Sequence, residues 1–295
     1  MQRSPDMLPA VLIPLAVVML EYAEQHDAVR DLDTVDLFAG KAAITSGCTS
    51  KGLNSEAYDK SYLDNDSMDI TTGPGFLAAF HLVLRLRVHG SLWGAPVCSS
   101  WVFMSRSVGG RSSLDPAGNL RDVRIRHANS MVVLFTMLAL LAWLRGAHIW
   151  LEQPVSSIMF HFSPLHAFCT AALPFSQITY MGAFGGSTCK PLIVKSTTSR
   201  VAQLACRKPT CLKTLASREG SQINGKQKEL KLSQAYPRKF GLKVATIMRS
   251  LLDDPQPDEL FCADSFDPPC KSTQRGVKRR PTAAPVRKGA ASRNR

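Results

Sequence analysis

Along the first two hundred residues, apolar positions switch between the short continuous runs of buried strands and the spacing of helices. "TVDLFAG" (34–40) is an apolar run closed by a glycine, as a buried strand entering a tight turn would be. The small-residue stretch "KAAITSGCTSKG" after it predicts a helix. "NSEAYD" (54–59) predicts a second strand with an acidic end, and "MDITT" (68–72) the end of a short third strand or the loop after it. "GFLAAFHLVLRLRVHG" (75–90) has helical spacing and a glycine stop, and "SLWGAPV" (91–97) predicts the strand that leads into Cys98. Residues 102–126 are polar and glycine-containing, the composition of a long loop, and such loops are often functional. "NSMVVLFTMLALLAWLRG" (129–146) predicts an apolar core helix and "HIWLEQPV" (148–155) the next strand. "QITYMGAF" (177–184) and "KPLIVKS" (190–196) are two further apolar runs.

Strands alternating with helices of this size predict an α/β fold: a doubly wound, mostly parallel sheet with helices on both faces. Ligands of such sheets bind beyond the carboxyl ends of the strands. Gly40, Asp59, Asp69, Cys98 and Glu152 all fall at or just past predicted strand ends, so one rim would collect them.

The pattern divides the chain into four parts. Residues 1–30 hold the apolar run "LPAVLIPLAVVML" (8–20), short for a membrane span and interrupted by Pro9 and Pro14. It predicts a helix packed on the domain, with a targeting segment as the open alternative. Residues 31–200 form the α/β domain, 201–254 a basic, partly helical extension with an amphipathic helix at 242–254, and 255–295 a Pro/Lys/Arg-rich tail. That tail has too little apolar surface to offset its ordering entropy and is expected to be disordered.

Composition adds a direction. The 295 residues carry a net charge of +13, with the excess after about Lys190, which favours an anionic partner such as nucleic acid or a membrane surface; of the two, nucleic acid is expected. Lys278, Arg279 and Arg280 resemble a nuclear import signal, so an intracellular, nuclear location is expected. The eight cysteines contain no CxxC pair and read as reduced thiols. The histidines show no metal-ligand spacing, so no metal is expected. Nothing in the sequence sets an oligomeric state.

The rim residues suggest nucleotide-like recognition. Gly40 lets the backbone approach a ligand. Asp59 after the second strand suits the two hydroxyls of a ribose, Asp69 an adenine amino group, and Tyr58 an adenine face. The phosphate-binding Gly-x-Gly-x-x-Gly is absent, so S-adenosylmethionine is favoured over a dinucleotide.

The order "DLFAG … EAYDK … MDI … APVCSSW … WLEQP" resembles the DNA cytosine-5 methyltransferase superfamily, a branch of the Rossmann-like (class I) methyltransferases, over roughly residues 34 to 196. The resemblance implies cofactor contacts from Phe38, Ala39, Gly40, Tyr58, Asp59, Asp69 and Ile70. It implies Cys98 as the nucleophile that adds to carbon 6 of a flipped-out cytosine, in DNA or RNA, and Glu152 as its partner at ring nitrogen 3. Ser99, Trp101, Arg106 and Arg111, in and after the cysteine loop, become the candidate nucleic-acid contacts. The chain departs from the family pattern at Lys41 and Ala42, which replace glycines, at Val97 before the cysteine, and at Gln153 and Pro154 after the glutamate. No Gln-x-Arg-x-Arg run follows Glu152. The alternative is a catalytically degenerate fold serving as a nucleic-acid-binding or interaction module.

Overall fold

A computed structural model describes residues 14, 18, 20–22, 29–63, 65–102, 108–213, 222–223, 226–227 and 233–254. Arg106, the basic cluster at 278–280 and the tail at 255–295 lie outside them.

The order of elements is β1 (Leu32–Leu37), α1 (Ala43–Ser50), β2 (Ser55–Tyr58), α2 (Gly73–Leu84), β3 (Leu86–Gly94), α3 (Val123–Leu144), β4 (His148–Pro154), α4 (Ser163–Ala172), β5 (Phe175–Tyr180), β6 (Pro191–Ser196) and α5 (Arg238–Asp253). Six strands form one mixed sheet in the order β2-β1-β3-β4-β6-β5. The pairs β1–β2, β1–β3 and β3–β4 are parallel, while β6 runs antiparallel to both β4 and β5. The chain leaves β1 for β2 on one side and returns to β3 on the other. A crevice therefore opens at the carboxyl ends of β1 and β3, where such a reversal favours ligand binding.

Strand residues alternate between two apolar clusters. Leu92, Ile149 and Leu151 join the cluster built with α2, α3 and α4. Trp93, Trp150, Leu192 and Val194 join the cluster built with α1 and α5. The extension after residue 200 thus contributes α5 to the same core as the sheet. The α1–α5 contact is close because glycines face each other there. A Cβ on Gly47 would meet the Gly241 carbonyl oxygen at 2.5 Å, and one on Gly241 would clash with the Ala43 carbonyl. Within the N-terminal segment, Leu20 packs on the first cluster and the Tyr22 ring lies 5.9 Å from Phe80.

Several expectations change. Of the two alternatives at 68–72 the loop holds, with no short strand before it: Asp66–Met68 makes one 3-10 turn and the rest is loop. The helix placed at 75–90 ends at Leu84, and Leu86–Gly94 is already β3. The apolar residues of the two elements run together without a proline or glycine between them, so periodicity alone merged them. α3 starts at Val123, six residues early, because Asp122 caps it by accepting from the Arg124 amide at 2.9 Å. Its 22 residues, with a mean hydropathy of 1.7 in the richest window, are long and apolar enough to cross a membrane. Here it packs as a core helix, with Val132, Phe135, Leu138 and Ala142 buried. α4 was not anticipated; Pro164 opens it.

Candidate active site at the carboxyl end of the sheet

The turn leaving β1 is strained. Phe38, Gly40 and Ala42 have φ of 64°, 55° and 51°, the left-handed region that costs a residue with a side chain about 1–2 kcal/mol. Backbone bonds hold it in place: the Phe38 and Ala39 amides donate to the Tyr58 carbonyl at 2.8 and 3.1 Å. The Gly40 amide donates to Asp59 Oδ2 at 2.9 Å, while Asp59 Oδ1 accepts from the Ser61 amide and hydroxyl at 2.9 and 2.6 Å. Strain of this kind at the mouth of a crevice is characteristic of ligand sites.

Beside this turn lies a cavity of about 750 Å³, within the usual range for small-molecule sites. Phe38, Tyr58, Asp59, Asp69, Ile70 and Ser99 line it, with Val97, His127 and Met131 among the others. It gathers five of the seven cofactor positions expected from the sequence, together with both flanks of Cys98. Ala39 is buried behind the turn and Gly40 is exposed, both outside the lining. Tyr58 has its ring in the wall and its hydroxyl committed to the Gly75 carbonyl at 2.9 Å. Asp69 accepts from the Thr71 amide and hydroxyl at 2.9 and 2.6 Å. Burial pushes its carboxyl up, but the Thr71 bonds, with Lys60 and His127 nearby, outweigh burial and hold it below the usual carboxylate value. A carboxylate has about four acceptor positions. Asp59 and Asp69 therefore keep capacity for a ligand after these local bonds.

The loop after β3 carries Cys98. The Gln153 amide group donates to the Pro96 carbonyl at 2.7 Å, and the Trp101 amide donates to the Cys98 carbonyl at 2.8 Å. Gln153, a departure from the family pattern, thus ties the cysteine loop to β4. Burial pushes the thiol up to about 11; Glu152 adds to that rise and Lys190 opposes it. Cys98 and Glu152, 54 positions apart in sequence, therefore sit in one electrostatic neighbourhood.

Glu152 is 5% exposed. Its Oε2 accepts from the Tyr236 hydroxyl at 2.6 Å, while Oε1 is buried without a hydrogen-bond partner among the described residues. Burial raises its carboxyl, with Lys190 and the Tyr236 hydroxyl pulling the other way. Below, on β1, Asp36 accepts from the Thr45 amide and hydroxyl at 3.4 and 3.1 Å, yet burial still lifts it to about 7.

The basic residue of the long loop takes an internal role. Arg111 is 4% exposed and lies 3.5 Å above the ring of the fully buried Trp101. Its guanidinium donates to the Pro116 carbonyl at 2.6 Å and Asn129 Oδ1 at 2.8 Å. Arg111 and Trp101 pin the loop to α3, and in this arrangement neither presents a surface to nucleic acid. Ser99 is exposed at the cavity, and Arg106 lies outside the described residues.

No family model and no curated protein matches the chain. The site therefore speaks through its geometry. Sequence reading missed Asp36, Gln153, Lys190 and Tyr236. Gln153 had registered as a departure, and "DLFAG" contains Asp36 at an interior strand position where a charge is rare. Lys190 and Tyr236 carry no local signal; only the fold brings them to Glu152. Among the described residues no group of three or more His, Cys, Asp or Glu side chains is arranged to hold a metal.

Proposed function

We infer that the protein is an S-adenosylmethionine-dependent methyltransferase of doubly wound, class I type that acts on cytosine in nucleic acid. The observation that carries the reading is the cavity. It joins the β1 turn, the end of β2, the Asp69–Ile70 loop and both neighbours of Cys98, with Glu152 electrostatically coupled to that thiol. The cavity suits the donor in size and chemistry: an apolar wall from Phe38, Ile70 and Met131, and two carboxylates with acceptor capacity left. Phe38, Tyr58, Asp59, Asp69 and Ile70 would hold it, with the Ala39–Gly40 backbone of the β1 turn alongside. The bound donor supplies an electrophilic methyl group.

Cys98 and Glu152 account for the rest of the chemistry. Carbon 5 of cytosine is a poor nucleophile until a thiolate adds at carbon 6. A buried carboxyl with a raised pKa suits proton sharing with the ring nitrogen as that adduct forms. Burial holds the thiol near 11, so little thiolate is present in the resting protein at neutral pH.

Isothermal titration with S-adenosylmethionine tests the cavity, with micromolar binding expected; absence of heat at millimolar donor overturns the assignment. Covalent trapping by DNA and RNA oligonucleotides containing 5-fluorocytosine tests the chemistry. An adduct lost in Cys98→Ser is expected. Donor binding without an adduct would favour the second reading, a degenerate interaction module, which draws its support from Ala42 at a position where φ is 51°.

A further inference from the structure

Tyr236 comes from the segment ahead of α5, more than eighty positions beyond Glu152, and it is fixed on three sides. Its ring meets Trp93 edge-on at 6.0 Å between centroids and lies 5.2 Å from Phe240. The same segment is tied at Ser233, whose carbonyl accepts from Lys190 Nζ at 2.8 Å. Its hydroxyl reaches Glu152 Oε2 at 2.6 Å, a short contact in a carboxyl that is 5% exposed. The other oxygen, Oε1, is buried and has no partner among the described residues. The titratable and charged groups facing this carboxyl are Cys98 from the loop after β3, Lys190 from the turn before β6 and Tyr236 itself; Asp36 of β1 faces the phenol.

A protonated carboxyl group that accepts a short hydrogen bond on its carbonyl oxygen has its own proton on the other oxygen. We propose that Tyr236 is a positioning residue: by donating to Oε2 it makes Oε1 the oxygen that bears the Glu152 proton and offers it to a ring nitrogen of the substrate. The proton is shared between Oε1 and ring nitrogen 3 while the Cys98 sulfur, its own proton lost to water, bonds to carbon 6, and the shared proton returns to Oε1 when the carbon–sulfur bond breaks. The methyl group comes from the donor, and the proton displaced from carbon 5 leaves to water. The role of Oε1 toward a substrate rests on the methyltransferase reading; the control of the Glu152 proton by Tyr236 does not.

The test uses the full chain and two readouts. The carbonyl stretch of protonated Glu152, assigned by its loss in Glu152→Gln, is followed by infrared difference spectroscopy against pH. The pH profile of methyl transfer to a cytosine-containing oligonucleotide is measured alongside. Tyr236→Phe keeps the ring packing and removes the donor. The Glu152 band and the alkaline limb of the rate should both persist to higher pH, by roughly one unit for one lost hydrogen bond to a charged group. Site-specific 3-fluorotyrosine at position 236, a stronger donor of the same shape, should move both the other way, and it serves if Tyr236→Phe does not fold. A band that titrates identically in wild type and variants overturns the proposal. A shifted band in a protein without methyl transfer upholds control of the proton by Tyr236 and removes the reaction assigned to the site.

Discussion

The cavity beside β1 and the corner around Glu152 lie at the same end of the sheet but handle their carboxyl groups in opposite ways. Asp59 and Asp69 sit in partly exposed turns where nearby amides and hydroxyls surround them. Asp36 and Glu152 are buried, and each keeps one oxygen without a hydrogen-bond partner among the described residues. The first pair is placed to accept hydrogen bonds. The second pair is held toward its protonated form and is ready to give a proton. Environment rather than residue type separates an acceptor site from a donor site.

The contrast is sharpest in stability against pH. The folded-state value of Asp36, about 7, lies above its ordinary value of 3.8. The protonated carboxyl therefore contributes fully below about pH 4, and that contribution is lost as pH rises through 7. Asp36→Asn removes the cost of the buried charge. Urea unfolding at pH 5 and pH 8 should show a wild-type decline with pH that the variant lacks, of about 2–3 kcal/mol. An unchanged slope would place Asp36 with the cavity carboxylates. Next in size, Glu152→Gln should slow methyl transfer a hundredfold or more while leaving donor affinity within about twofold, the mark of an interaction made only during reaction. Equal losses in binding and rate would merge the corner with the cavity.

On the cavity side, Asp59→Ala removes the acceptor of the Gly40 amide and two Ser61 bonds. Donor affinity should fall about tenfold, with only about 1 kcal/mol lost in unfolding free energy because the group is partly exposed. The smallest effect concerns Cys98. Iodoacetamide should label it slowly at pH 7, at a rate rising with pH toward 11, and Glu152→Gln should speed labelling above neutral pH by removing a nearby negative charge. Mass spectrometry of the Cys98 peptide reads both.

The regions also differed in how far the sequence disclosed them. The β1 turn, the end of β2 and the cysteine loop each occupy a few consecutive residues with period and turn chemistry, so local pattern located them. The strand ends at Asp59, Cys98 and Glu152 held within a few positions. The corner required tertiary knowledge. Tyr236 stands in a polar stretch with no periodic mark, and Lys190 resembled one more member of a basic surplus. Arg111 and Trp101 were misread for the same reason: a cation and an aromatic on a loop look available until the loop folds back and stacks them on each other. The boundary between α2 and β3 was hidden because a helical and an extended apolar run adjoin without punctuation.

The glycine contact between α1 and α5 has a consequence for biosynthesis. Gly47 and Gly241 are separated by roughly two hundred residues. At about 5–20 residues per second, a ribosome needs on the order of 10–40 s to deliver the second helix after the first has emerged. Throughout that interval the face bearing Ile44, Trp93 and Trp150 is uncovered, a sticky surface on the nascent chain for holding chaperones to recognise. Arrival of α5, rather than formation of the sheet, therefore sets the moment at which this face is covered.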